Sequence, residues 1–150
     1  VNDPIRVIIV DGDDAYRRRV LGWLARRDDI TVVGEAGAVP EALRLIQEVG
    51  PAVALLDLDT LRAGAPHVVA QARALSPGME VIVLNEEGQE RDVIAAFREG
   101  ALGHLVKGQA GAREIAVAIR LVRQGQAVLC PAVAGRILDR VVHEQRQRKH

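Results

Sequence analysis

The chain has 150 residues, a mass of 16.2 kDa and twenty basic against twenty acidic side chains. That is enough for one domain burying roughly 70% of its unfolded surface, and the neutral balance supplies no overall field for nucleic acid or an anionic membrane, so any nucleic-acid role must be local or lie elsewhere. Tyr16, Trp23 and Phe97 are the only aromatic residues, which excludes an aromatic cage or a base-stacking platform, while the solitary Cys130 excludes an intrachain disulfide and a multi-cysteine metal site and fits a reducing compartment.

In chain order, Ile5 to Val10 is an almost unbroken β-branched apolar run ended by Asp11 and Gly12, the pattern of a strand buried on both faces. Tyr16, Val20, Trp23 and Leu24 then follow helical spacing, with Asp13 or Asp14 placed as the cap. Ile30 to Val33 reads as the second strand. Pro40 suits the first turn of a helix carrying Ala42, Leu45, Ile46 and Val49, which Gly50 and Pro51 end. Val53 to Leu56 is the third strand, followed by a loop and a helix from about Pro66 with Val68, Val69, Ala72 and Leu75 inward. Val81 to Leu84 is the fourth strand, Val93, Ile94 and Phe97 mark the next helix, and Leu102 to Val106 is the fifth strand. Ile115, Ala118, Ile119 and Val122 line another helix that stops at Gly125. Beyond it, Val133, Ile137, Leu138, Val141 and Val142 predict a short extra helix, and the apolar-free stretch His143 to His150 reads as a solvated tail or linker. The longest apolar runs are too short to span a bilayer, and Val1 to Val10 shows no signal-peptide pattern, so a cytoplasmic protein without membrane contact is expected.

Strands and helices alternating at about 25-residue spacing predict an α/β domain with a doubly wound, five-stranded parallel sheet. In such sheets ligands bind beyond the carboxyl ends of the strands, where strand order reverses. The first polar residues after the apolar runs are Asp11, Asp57, Asn85 and Lys107, so two carboxylates, an amide and an ammonium are expected to converge. Any one of them alone is what a strand meeting water would show. Lys107 adds weight because the twenty basic residues are eighteen Arg and only two Lys, and a compact point charge stands here rather than a fork. A lysine beside two aspartates suits a divalent cation and a phosphoryl group. No GxGxxG or Walker pattern follows the first strand, which argues against a dinucleotide or nucleoside triphosphate site.

Val7-Ile8-Ile9-Val10-Asp11, Ala54-Leu55-Leu56-Asp57, Val83-Leu84-Asn85 and Gly103-His104-Leu105-Val106-Lys107 resemble the signature strands of response-regulator receiver domains of two-component signalling, from about Ile5 to Gly125. Val32-Val33-Gly34-Glu35-Ala36 and Gly125 to Val133 are most similar to receivers that precede a LuxR-type helix-turn-helix output domain. The resemblance implies a flavodoxin-like fold, a receiver over 1–125, and over 126–150 a helix and linker towards an output domain absent from this chain. It implies Asp57 as phosphoacceptor for a sensor histidine kinase, Mg²⁺ held by Asp11, Asp57 and the backbone carbonyl of Asp59, and Lys107 pairing with phosphoryl oxygens. It also implies dimers, with exposed Arg91, Arg98, Arg113, Arg120 and Arg123 as candidates for pairs across an interface, and DNA contact only through the output domain.

Five positions depart from the family pattern. Gly12 replaces a second acidic metal ligand, and Asp13 either substitutes for it or simply caps the first helix. Asn85 stands at the Thr or Ser switch position and His104 at the aromatic switch position. Thr60-Leu61 replaces the common Met-Pro pair. These departures leave open a phosphorylation-independent pseudo-receiver acting as an interaction module. A phosphatase of the haloacid-dehalogenase type, resembled by Asp57-Leu58-Asp59-Thr60, is a third reading, but its Thr comes one residue early and the downstream acids Glu114, Asp139 and Glu144 fall on helices; the chain is expected not to be an enzyme.

Overall fold

The computed structural model describes residues 3–64, 66–87 and 90–148. Five strands, β1 (Ile5–Val10), β2 (Ile30–Ala36), β3 (Val53–Asp57), β4 (Glu80–Asn85) and β5 (Gly103–Val106), pair in parallel in the order β2-β1-β3-β4-β5. Their apolar runs are continuous because both faces are covered, and successive side chains go to opposite sides. Ile8, Val10, Ala54, Leu56, Val81 and Val83 pack under α2 (Val39–Val49), α4 (Val68–Leu75) and α5 (Glu90–Arg98). Val7, Ile9, Val53, Leu55, Ile82 and Leu84 pack under α1 (Asp14–Leu24) and α6 (Ala112–Arg123). This is the flavodoxin-like doubly wound sheet, with α7 (Pro131–Arg148) added after it.

Strand order reverses at β1, which lies between β2 and β3, with Val10 in register with Leu56. The residues that follow, Asp11 and Asp57, therefore end side by side at the crevice where such sheets bind ligands. Asp13 caps α1, its side chain accepting from the Tyr16 N–H at 3.1 Å. Gly50 ends α2 in the left-handed region (φ 54°) with its N–H on the Ile46 carbonyl, a conformation that costs glycine little.

The structure departs from expectation in four places. The segment after β3 is not simply a loop: Leu58–Arg62 forms a short helix, α3, capped by Asp57 and anchored by buried Leu58 and Leu61. It is too short to show a helical period. Helix α4 starts at Val68 rather than Pro66, behind His67 at φ 60°, and Leu75, its last residue, is 40% exposed rather than turned inward. Strand β2 continues to Ala36, since the β1 ladder holds Gly34 and Glu35 despite a register shift after Val7. Finally, α7 continues through Arg148 instead of giving way to a tail at His143, its outer half exposed and joined to α5 through Arg98 and Glu144. Residues 149 and 150 lie outside the described residues.

Candidate functional site

Lys107 follows β5 and reaches back across the sheet edge, its backbone N–H on the Asn85 carbonyl at 2.8 Å. Its Nζ lies 2.7 Å from Asp11 Oδ2 and 2.9 Å from Asp57 Oδ1, and 4.4 Å from the centroid of the Tyr16 ring. The three charged side chains are 9% exposed or less. Burial works against the ammonium, yet its hydrogen bonds to Asp11 and Asp57 outweigh that and raise the Lys107 pKa. Burial raises the pKa of Asp11 despite the opposing bonds from Lys107 and the Asp13 N–H. Burial also pushes the Tyr16 phenol up, and its hydroxyl has no hydrogen-bond partner among the described residues. Tyr16, legible in the sequence only as an inward helix position, thus forms an aromatic wall under the lysine.

A second set of bonds runs through Thr60. The Gly12 N–H donates to Thr60 Oγ1 at 2.9 Å, and Thr60 donates to Asp57 Oδ2 twice, from its hydroxyl at 2.7 Å and its backbone N–H at 2.9 Å. Asp11 Oδ1 accepts the Asp13 N–H at 2.9 Å. Each of the four carboxylate oxygens of Asp11 and Asp57 therefore has a donor within the protein. Arg17 braces the edge from outside, its guanidinium on the Asp11 carbonyl and the Glu35 carboxylate, both at 2.7 Å.

Asp11, Asp57 and Lys107 open into a cleft of about 470 Å³ that Gly12, Asp13, Asp59 and Thr60 also line. The donor set suits a hard divalent cation: two carboxylates converge on a position now held by an ammonium, beside space for water. No three His, Cys, Asp or Glu side chains are arranged to hold an ion among the described residues, the place of a third acid being Gly12. A Cβ at Gly12 would sit 3.4 Å from Thr60 Oγ1 and from the Gly37 carbonyl, ordinary contact distances, so packing does not require glycine there. The Asp59 carboxylate is 56% exposed, 3.8 Å from Arg62.

Asn85 and His104 turn away from this cleft. Both are buried, and His104 Nε2 lies 2.7 Å from Asn85 Oδ1. A carboxamide oxygen only accepts, so Nε2 carries the proton; burial lowers the imidazole pKa and keeps the ring neutral, and Nδ1 has no partner among the described residues. The pair lines a separate cleft of about 340 Å³ with Val93, Cys130 and Val133. Of the residues expected to interact across an interface, Arg98 pairs with Glu144 and Arg120 with Asp29 inside the chain. No helix among the described residues is long and apolar enough to cross a membrane.

Residues 7–120 match the response regulator receiver domain family. The chain is 33% identical over 139 residues to the transcriptional regulatory protein LiaR of Bacillus subtilis (strain 168), covering 93% of this chain and 65% of LiaR. It is 32% identical over 130 residues to the response regulator GacA of Pseudomonas viridiflava, covering 87% of this chain and 60% of GacA. The chain thus spans less than two thirds of the length of these relatives. Among solved structures, the signal receiver domain of the putative response regulator NarL from Mycobacterium tuberculosis superposes with a TM-score of 0.76 at 29% identity, over 83% of this chain and all of that one. A LuxR-family two-component response regulator from Aurantimonas sp. SI85-9A1 shares the fold, with a TM-score of 0.80 at 24% identity over 93% of this chain and 99% of that one. The matched span takes in the cleft and every strand end that forms it, and the chain belongs to the response regulator receiver domain family of two-component signalling.

Proposed function

We propose that this receiver accepts a phosphoryl group on Asp57 from a sensor histidine kinase and passes the signal to a DNA-binding output domain. The observation that carries the reading is Lys107, whose Nζ lies within 2.9 Å of both Asp11 and Asp57 at the strand-order switch point. A carboxylate oxygen of Asp57 attacks phosphorus, the P–N bond of the phosphohistidine breaks, and its electron pair returns to the departing imidazole. Lys107 then pairs with the phosphoryl oxygens. Asp11 and Asp57, with the Asp59 carbonyl, would hold Mg²⁺, which when bound supplies positive charge to the phosphoryl oxygens. Binding is weaker than in receivers with two adjacent acids, because Gly12 contributes no ligand and Asp13 is engaged as a helix cap. Residues 1–125 act as the receiver and 126–150 as the helix and linker, in a cytoplasmic regulator that dimerises. Members of this family are signalling proteins, so no turnover of substrate is assigned.

The test is incubation with Mg²⁺ and acetyl phosphate followed by intact mass measurement, with a competent receiver alongside. A gain of one phosphoryl mass, lost in Asp57→Asn, is expected. A second reading, a phosphorylation-independent interaction module, is favoured by one observation: Asn85 directs its side-chain oxygen to His104 rather than into the Asp57 cleft. No gain of mass while the control is modified selects that reading.

A further inference from the structure

Thr60 stands where the family commonly has methionine, and it binds both sides of the crevice. It joins the Gly12 backbone, at the end of β1, to Asp57, at the end of β3. The direction of the bonds is fixed by chemistry. Gly12 presents an N–H, so Thr60 Oγ1 accepts there and its own proton goes to Asp57 Oδ2. The backbone beneath is fixed as well. Asp57 caps α3, and Leu58 and Leu61, 3% and 7% exposed, pin that helix to the core. A Met-Pro pair at these positions would lack the hydroxyl, and its proline would disfavour helical backbone at the residue before it. The helix and the hydroxyl contact therefore both follow from the Thr60-Leu61 pair.

We propose that Thr60 is a positioning residue that holds Asp57 Oδ2 away from cation and phosphorus, so that its hydroxyl slows the Mg²⁺ binding and phosphoryl transfer that draw on this oxygen. The inference rests on reading Asp57 as the phosphoacceptor and adds what restrains it. Oδ1 accepts from Lys107 alone, whereas the two Thr60 donors take up both lone pairs of Oδ2, so Oδ2 is the oxygen that is restrained. For transfer from acetyl phosphate, a carboxylate oxygen forms the new P–O bond, the old P–O bond to the acetyl group breaks, and acetate leaves with its electron pair. Thr60 enters no bond that forms or breaks. Its effect is on which oxygen is available.

Two measurements on the full chain test this. Mg²⁺ alone is titrated and followed by the Gly12 and Thr60 amide resonances, and phosphoryl uptake from acetyl phosphate with Mg²⁺ is timed by intact mass. Thr60→Val, which keeps the shape and the backbone N–H, is expected to bind Mg²⁺ about tenfold more tightly and take up phosphoryl about tenfold faster, the scale of one charge-assisted hydrogen bond. Thr60→Ala, which also lacks the hydroxyl, must follow Thr60→Val even if one of the two folds poorly. Thr60→Ser, which restores the hydroxyl, must return wild-type values. Unchanged or weaker Mg²⁺ binding in the hydroxyl-free variants, or Thr60→Ser behaving as they do, overturns the inference. Tighter Mg²⁺ binding with no phosphoryl mass in any variant, beside a modified control receiver, leaves Thr60's role standing and removes Asp57 as acceptor.

Discussion

His104 is a fully buried titratable group placed outside the Asp57 cleft, 1% exposed and bonded to Asn85. Its folded pKa lies below its ordinary 6.5 because burial penalises the imidazolium. The unfolded chain therefore binds a proton at this residue that the folded chain does not. His104 leaves stability intact above about pH 6.5, and stability is lost as pH falls below that value towards the lowered folded pKa. Asp11 acts in the opposite sense, since burial raises its pKa above the ordinary carboxylate value and its protonation on acidification favours the folded state. Urea melts between pH 7.5 and 5.5 should show falling stability in the wild type and a flatter dependence in His104→Phe; equal slopes would mean that His104 is not the group responsible. Asp11, Asp57 and Lys107 were legible in the sequence because each is the first polar residue after an apolar run. Thr60's role was not, since its bond to Gly12 spans 48 positions and exists only once β1 and β3 are neighbours.

Strands β1, β3 and β4 were readable almost residue by residue, because a strand covered on both faces has no polar position to blur its limits. The same covering leaves β5 little room. A Cβ on Gly103 would come 2.9 Å from Ile82 Cγ1 and 3.2 Å from Val122 Cγ1, placing it between β4 and α6. Gly103→Ala should cost about 1–3 kcal/mol, the usual penalty for overfilling a packed core, read as a lower urea midpoint at unchanged slope. A neutral substitution would show that β5 can move away from α6. Helix α3 escaped sequence reading for a different reason: five residues give no periodicity, and its start depends on a carboxylate that also looked like a strand end.

For the whole molecule, the informative joint is between the receiver and the segment after Gly125. Val128 bridges to Gly103 and accepts the His104 backbone N–H at 2.8 Å, and Val133 and Ile137 pack against the core beneath α7. The stretch from Val128 to Ile137 thus packs against the domain, while the last turns of α7 extend with their side chains exposed. Ending the chain at Gly125 should destabilise what remains and speed amide exchange at His104 by at least about tenfold, as its acceptor is lost; unchanged protection would mean that the segment adds nothing to the fold. Restoring residues up to Ile137 should recover most of the protection.

Eighteen consecutive helical residues make α7 a lever about 27 Å long. Its apolar grip, Val133 and Ile137, lies in the first two turns. Arg136 pairs with Glu90 within those turns, and farther out the pair of Arg98 with Glu144 steadies the helix, surface contacts worth about 0–1 kcal/mol and weakened by salt. A tilt of roughly 10° at that grip carries the tip near Arg148 through about 3 Å, given the helix rise. Helix α5, which holds both Glu90 and Arg98, therefore touches α7 at its base and again near its far end, so the direction of the outer half of α7 is tied to the position of α5.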